Sequence, residues 1–169
     1  AVAIGQETGL REIQQIAENF NGNFVISDLP EKQTMNQIYL EHFKKIVDPT
    51  DISDKVKFSI DAGNGVLGAI IDDLSDIFNL NFVGLYMDVD GNFPNHPADP
   101  SDENNLLDLK DKVISENLDF GVAFDGDADR SVFIDDKGNL ISGSLMTCLI
   151  SDWLYEKKSK VKVVHNVNV

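Results

Sequence analysis

The sequence is short of cysteine, tryptophan and positive charge. It has one Cys, one Trp, five prolines and 14 Lys+Arg against 29 Asp+Glu in 169 residues, for a formal net charge of −15. Each shortage excludes something. The lone Cys148 cannot close an internal disulfide and lacks the Cys or His neighbours of a zinc site, so a reduced, cytoplasmic setting is expected. A field this negative repels phosphate backbones and anionic lipid heads, which argues against nucleic-acid and membrane partners. No apolar run approaches the ~20 residues that cross a bilayer, and the start of the sequence lacks the basic and apolar regions of a signal peptide, so a soluble chain is expected. With 42% hydrophobic residues the chain can build one core of ordinary size, so disorder does not explain the charge.

What is present is an alternation of periodicities. Leu10, Ile13, Ile16, Ala17 and Phe20 predict a helix over Glu7 to Phe20 with Thr8 as N-cap. The stretch to Pro30 reads as a linker with a short extended piece at Phe24 to Ile26. A second helix is predicted from Thr34 to Val47, stopped by Asp48 and Pro49. From Lys55 onward short β-rich runs alternate with helical patterns. Strands are predicted at Val56 to Ile60, Phe82 to Tyr86 and Phe120 to Phe124, and helices at Val66 to Phe78 and Asn105 to Asn117. Asp61 to Gly65 forms a glycine-rich turn, and Asp88 to Asn104 a polar loop with three of the five prolines. Val132 to Ile134 and Leu140 to Ile141 flank a hairpin turn at Lys137 to Asn139. A helix from Leu145 to Tyr155 then leads to a last strand at Val161 to Val164. This order predicts an α/β fold, a mainly parallel three-layer sandwich.

The chemistry is concentrated in Gly121 to Arg130, GVAFDGDADR. A hydrophobic strand delivers Asp125, Asp127 and Asp129, spaced by Gly126 and Ala128, with Arg130 directly behind. Small spacers let such a loop curl three carboxylates onto one point. Left alone they repel, and a hard divalent cation, Mg²⁺ or Ca²⁺, removes that penalty. The loop belongs at the carboxyl end of a parallel strand, where open α/β sheets place their ligands. Asp-rich turns are also often merely solvated, and three further readings of the loop are open. An EF-hand loop would have Gly where Arg130 stands, Glu where Asp136 stands, and a helix before it. A haloacid-dehalogenase-like phosphatase shares a strand followed by Asp-x-Asp but wants Thr at the place of Asp129. A non-enzymatic, acidic Ca²⁺- or partner-binding module is the third.

GVAFDGDADR resembles the metal-binding loop of the α-D-phosphohexomutase family, which includes phosphomannomutase and phosphoglucomutase. Other segments agree in order and spacing: DAGNGV at Asp61 to Val66, DGNFPNHPADP at Asp90 to Pro100, and ENNLLDL at Glu103 to Leu109. GQETGLREI at Gly5 to Ile13 resembles the end of the preceding domain of that family, and VVHNVNV at Val163 to Val169 the passage into the following one. The resemblance implies the second domain of a four-domain enzyme: residues 1–30 the end of the preceding domain and a linker, 31–162 the metal-binding α/β domain with a β-hairpin carrying the metal loop, and 163–169 the passage onward. The absence of a polar or capping tail at Val169 points the same way.

It further implies that Asp125, Asp127 and Asp129 ligate Mg²⁺ and that Arg130 acts catalytically on phosphate, with a structural salt bridge to its own loop as the other reading of that arginine. Substrate and intermediate would be a hexose phosphate and a hexose bisphosphate, exchanging phosphate with a phosphoserine. The family's nucleophile motif, Thr-Ala-Ser-His-Asn-Pro, is absent, as are its Gly-Glu-x-Ser-Gly-His sugar loop and Ser-Gly-Thr phosphate loop, so the 169-residue chain alone is expected to be inactive. His96 either faces the cleft or stabilises its proline-rich loop. Asn64 and Gly65 either favour an anion at a helix N-terminus or make a tight turn. His42 and His165 read as structural, and Trp153 and Tyr155 as packed.

Overall fold

Short runs of Phe, Val and Ile between turn-forming clusters become the strands of one five-stranded sheet. The computed structural model describes residues 5–22, 35–158 and 161–164, and the chain divides into two units, residues 1–34 and 35–169. In the first unit a 3₁₀ turn at Gln6–Thr8 precedes helix α1, Leu10–Glu18. Thr8 is therefore not the N-cap. Gly9 occupies that place, and the Thr8 hydroxyl accepts a hydrogen bond from the Gly5 N–H at 2.6 Å instead. The extended piece expected at Phe24 to Ile26 lies outside the described residues.

In the second unit the order is α2 (Asn36–Ile46), β1 (Lys57–Asp61), α3 (Ile71–Phe78), β2 (Asn81–Leu85), α4 (Leu107–Ser115), β3 (Phe120–Phe124), β4 (Ser131–Asp135), β5 (Leu140–Ile141) and α5 (Gly143–Lys158). The sheet order is β2-β1-β3-β4-β5. β1 runs parallel to both β2 and β3, while β3–β4 and β4–β5 are antiparallel. The fold is thus α/β with a mixed sheet, its three parallel strands extended by a hairpin whose β3–β4 connection is the Asp-rich loop. The predicted helix at Val66 to Phe78 is a 3₁₀ turn, Val66–Ala69, followed by α3.

Alternation along β3 divides the core. Val122 packs on one face with Ile60, Leu67, Ile71, Leu74 and Phe78, and α2 adds Leu40 and Phe43 to that cluster. Ala123, one residue on, packs on the other face with Ile134 and with Leu109 and Val113 of α4. Gly121 is what lets α4 lie so close: a Cβ there would sit 2.8 Å from Val113 Cγ2 and 2.9 Å from Leu109 Cδ1. At the amino end of the sheet Phe82, Phe58, Phe120 and Phe133 form a row across four strands, Phe58 and Phe120 stacking at 4.7 Å between ring centroids. The opposite end, where β1 and β3 finish at Asp61 and Phe124, carries the turns that matter below.

Two further expectations fail. Val161 to Val164 joins no strand among the described residues, and Val163 and Val164 are exposed. β-branched residues favour strands only where a neighbouring strand offers a ladder and a covered face, and the last strand, β5, is only two residues long. Trp153 and Tyr155 of α5, read as packed, are exposed as well. Among the described residues no helix is long and apolar enough to cross a membrane.

Leu109 is fully buried at the centre of the α4 face. Leu109→Ala is expected to lower the unfolding free energy by about 3 kcal/mol in urea titration, through lost burial and the cavity left behind. Gly121→Ala, which overfills the same contact, is expected to cost about 1–3 kcal/mol.

Candidate metal centre

The chain leaves β1, crosses one face of the sheet through α3 to reach β2, and returns through α4 on the other face to β3, which lies on the far side of β1. The strand order reverses between β1 and β3. Helices there turn away to opposite faces and leave a crevice at the carboxyl ends, the place where open α/β sheets bind ligands. Two acidic turns meet at this point: Asp61 ends β1, and Asp125 follows β3 directly.

Asp125, Asp127 and Asp129 each place a carboxylate oxygen within 4.8 Å of the other two. Asp125 is the anchor, with 2% of its surface exposed. Its Oδ1 accepts from the backbone N–H groups of Asp129 and Arg130, both at 3.0 Å. Its Oδ2 accepts from Arg130 Nε at 2.7 Å. The loop curls because Ala128 adopts φ +59°, a left-handed conformation that its small side chain tolerates, and the Ala128 N–H closes the turn on Asp125 O. Asp127 and Asp129 remain exposed.

The two kinds of carboxylate titrate in opposite directions. Burial pushes Asp125 up, but the backbone and guanidinium of Arg130 outweigh it and hold the group below its ordinary value. Asp129 is raised, first by the negative charge of Asp127 and then by that of Asp125. The loop therefore spends its hydrogen bonds on one carboxylate and leaves the others repelling each other. Arg130 takes the salt-bridge geometry anticipated as its other reading: Nε also lies 3.9 Å from Asp129 Oδ1, and Nη1 is 3.5 Å from Asp99 Oδ1. Its side chain is still 58% exposed, so part of the guanidinium fork faces solvent.

The DAGNG turn settles between its two readings. The Asn64 N–H donates to Tyr86 O, Gly65 N–H to Ala62 O and Val66 N–H to Gly126 O. All three amides are taken, so the turn is a tight junction and not an anion cradle. Gly65 is required by the closeness of the metal loop, since a Cβ there would meet Gly126 O at 2.8 Å. His96 lies over this turn, its Nε2 3.1 Å from Asp61 Oδ2 and its Nδ1 2.8 Å from Pro97 O. Of the two roles open to His96 the structure places it in the loop's own framework. Asp61 as its partner was not foreseen: the two are 35 residues apart, and only the β1–β3 crevice brings them together. His42 lies on α2, away from these contacts, and His165 lies outside the described residues.

The opposed shifts set opposed pH dependences without divalent cation. Asp125, with its depressed value, stabilises the fold above the ordinary carboxylate range, and that contribution is lost as pH falls through its folded value. Asp129, raised, disfavours the fold above its folded value and ceases to do so as pH falls through it. Asp125→Asn, which leaves two amide N–H groups and a guanidinium facing an amide, is expected to cost about 2 kcal/mol. Asp129→Asn is expected to raise the metal-free melting temperature slightly at neutral pH. Thermal melts of both variants in chelator check the pair of signs.

The family model for "Phosphoglucomutase/phosphomannomutase, alpha/beta/alpha domain II" matches residues 37–138. A phosphomannomutase/phosphoglucomutase of Pseudomonas aeruginosa is 32% identical over 166 residues, covering 98% of this chain and 36% of its own length. A phosphomannomutase of Escherichia coli is 31% identical over 176 residues, covering 98% of this chain and 38% of the relative. A solved phosphoglucomutase/phosphomannomutase family protein of Burkholderia thailandensis superposes with a TM-score of 0.65 at 32% identity, over 75% of this chain and 27% of that one. The chain thus spans roughly a third of the length of the curated relatives it matches. Fold, loop geometry and sequence similarity converge, and they set the haloacid-dehalogenase and EF-hand readings aside: this chain belongs to the phosphoglucomutase/phosphomannomutase family, and residues 37–138 are its α/β/α domain II.

Proposed function

We propose that this chain supplies the divalent-cation site of a phosphohexomutase that interconverts hexose 1-phosphate and 6-phosphate through a phosphoserine and a hexose bisphosphate. The observation that carries the reading is the convergence of Asp125, Asp127 and Asp129 within 4.8 Å at the crevice between β1 and β3. The names of the relatives, phosphomannomutase and phosphoglucomutase, support this reaction with mannose or glucose as the sugar.

The donor set fits Mg²⁺. Three carboxylate oxygens are hard ligands, their mutual repulsion pushes Asp129 up, and three ligands leave room in an octahedral shell for phosphate oxygen and water. Bound there, the ion supplies Lewis-acid stabilisation of charge on a transferring phosphoryl group. The chain's own residues do the remaining work. Asp125 fixes the loop through its three hydrogen bonds, Asp127 and Asp129 present oxygens to solvent, and Arg130, oriented by Asp125, offers the free part of its fork to phosphate oxygens. Seryl nucleophile and sugar contacts come from other parts of the enzyme. In this reading residues 1–30 end a preceding domain and its linker, 31–162 form the metal-binding domain and 163–169 lead into the next. The enzyme works in the cytoplasm on small phosphosugars, with no nucleic-acid or membrane partner.

Calorimetric titration tests the site directly. The chain is expected to bind Mg²⁺ weakly and to lose in Asp127→Asn at least the roughly tenfold in affinity that loss of an outer-shell partner alone costs, while showing no mutase turnover by itself. Tight, Ca²⁺-selective binding would instead favour an acidic Ca²⁺ module, and mutase activity in the isolated chain would contradict the division of labour. In the full-length enzyme Asp127→Asn is expected to lower kcat/KM by about 100-fold, partly restored by raised Mg²⁺.

A further inference from the structure

Among the described residues, the contact between His96 and Asp61 is the most deeply placed ion pair that the proposed chemistry leaves unused. The Asp61 side chain is 1% exposed and that of His96 15%. His96 Nδ1 faces Pro97 O at 2.8 Å. A carbonyl only accepts, so Nδ1 carries a proton. Nε2 then faces Asp61 Oδ2 at 3.1 Å, and this contact is a hydrogen bond with one proton between the two atoms, held by either the ring or the carboxyl. Two protons would set donor against donor, and none would set lone pair against lone pair. The other groups around the pair are few. Gly63 N–H donates to Asp61 Oδ1 at 2.8 Å, the Tyr86 ring meets His96 edge-on at 5.2 Å, and the Tyr86 hydroxyl donates to the Asp108 carboxylate, which pushes the phenol up to about 12. Burial raises Asp61, opposed by Gly63 N–H and by His96, with Asp108 adding to the rise.

This pair is one of several ties between the 90–99 loop and the two turns of the crevice. Next to His96, Asn95 Nδ2 donates to Asn64 Oδ1 at 2.8 Å, and Asn64 Nδ2 donates to Asp88 O at 2.8 Å. Ala98 packs on Gly63, and Phe93 on Gly126 of the metal loop. At the far end Asp99 reaches Arg130. The turn beneath joins the metal loop through Val66 N–H and Gly126 O at 3.0 Å. The loop is thus a strap across the DAGNG turn and the Asp-rich loop, and its one buried charge-bearing fastening is Asp61–His96.

We propose that Asp61 and His96 are positioning residues that share one proton and lock the 90–99 strap over the metal loop, so that the geometry offered by Asp125, Asp127 and Asp129 depends on a pair that touches none of them. The claim rests on the metal-site reading above, and the test separates the two. Mg²⁺ titration of the 169-residue chain is combined with ¹⁵N spectra of its imidazoles at neutral pH. His96 Nδ1 is expected to be protonated in the wild type and in Asp61→Asn, and in that variant the new amide donates to a bare Nε2. His96→Ala is expected to weaken Mg²⁺ binding about tenfold. Asp61→Asn, which keeps both hydrogen bonds, is expected to bind close to wild type where Asp61→Ala does not, and His96→Gln, which keeps a donor toward Asp61, to bind better than His96→Ala.

A wild-type chain that binds no Mg²⁺ overturns the metal site itself. Mg²⁺ binding that is unchanged in His96→Ala, or an Asp61→Asn chain as weak as Asp61→Ala, overturns the positioning role while leaving the metal site standing. An unprotonated Nδ1 overturns the shared proton. If His96→Ala does not fold, the contrast of Asp61→Asn with Asp61→Ala and the ¹⁵N spectra decide.

Discussion

Repulsion between carboxylates at the end of β3 is the constraint around which the crevice is arranged. Asp125 escapes it because the loop folds back to give it two backbone N–H groups and a guanidinium nitrogen. Asp127 and Asp129 receive no comparable compensation. They are held close to Asp125 by the same curl, and Asp129 titrates high because of them. A loop selected only for stability would have one acid and two neutral residues there. Keeping three is intelligible where a cation completes the set, since its binding energy then replaces the missing hydrogen bonds.

The sheet topology decides where that loop can act. Because α3 and α4 leave β1 and β3 on opposite faces, the crevice at their carboxyl ends is open by construction. The aromatic row of Phe82, Phe58, Phe120 and Phe133 fixes the register at the other end, so the turn after β1 and the loop after β3 emerge side by side. They approach so closely that Gly65 has no room for a side chain. The proline-rich loop then spans both turns.

Much of this was legible in the sequence, for physical reasons that differ from element to element. Phe120 to Phe124 is legible as a strand because an apolar run this short, bounded by turn residues, suits a buried strand better than a helix. The three Asp residues were readable because alternate spacing with small spacers leaves few other geometries. The 3₁₀ turn at Val66–Ala69 looks like helix in the sequence, since 3₁₀ and α share an apolar period too similar to tell apart over four residues. Val161 to Val164 looks like a strand in the sequence because propensity is local and the partner strand it needs is not. The Asp61–His96 pair was hidden for the same reason: neither residue carries a sign of the other until β1 and the 90–99 loop are placed in space. Arg130 showed both readings in sequence, and the structure gives it the salt bridge while leaving part of its fork exposed.

Diffraction from crystals of the chain soaked in Mn²⁺, a scatterer that takes the same octahedral oxygen ligands as Mg²⁺, tests the central claim most directly. The account predicts one anomalous peak at about 2.1 Å, the upper end of the Mg²⁺–oxygen range, from an oxygen of each of Asp125, Asp127 and Asp129, absent in Asp127→Asn. A peak elsewhere, or none at saturating Mn²⁺ with the three carboxylates unchanged, would contradict it.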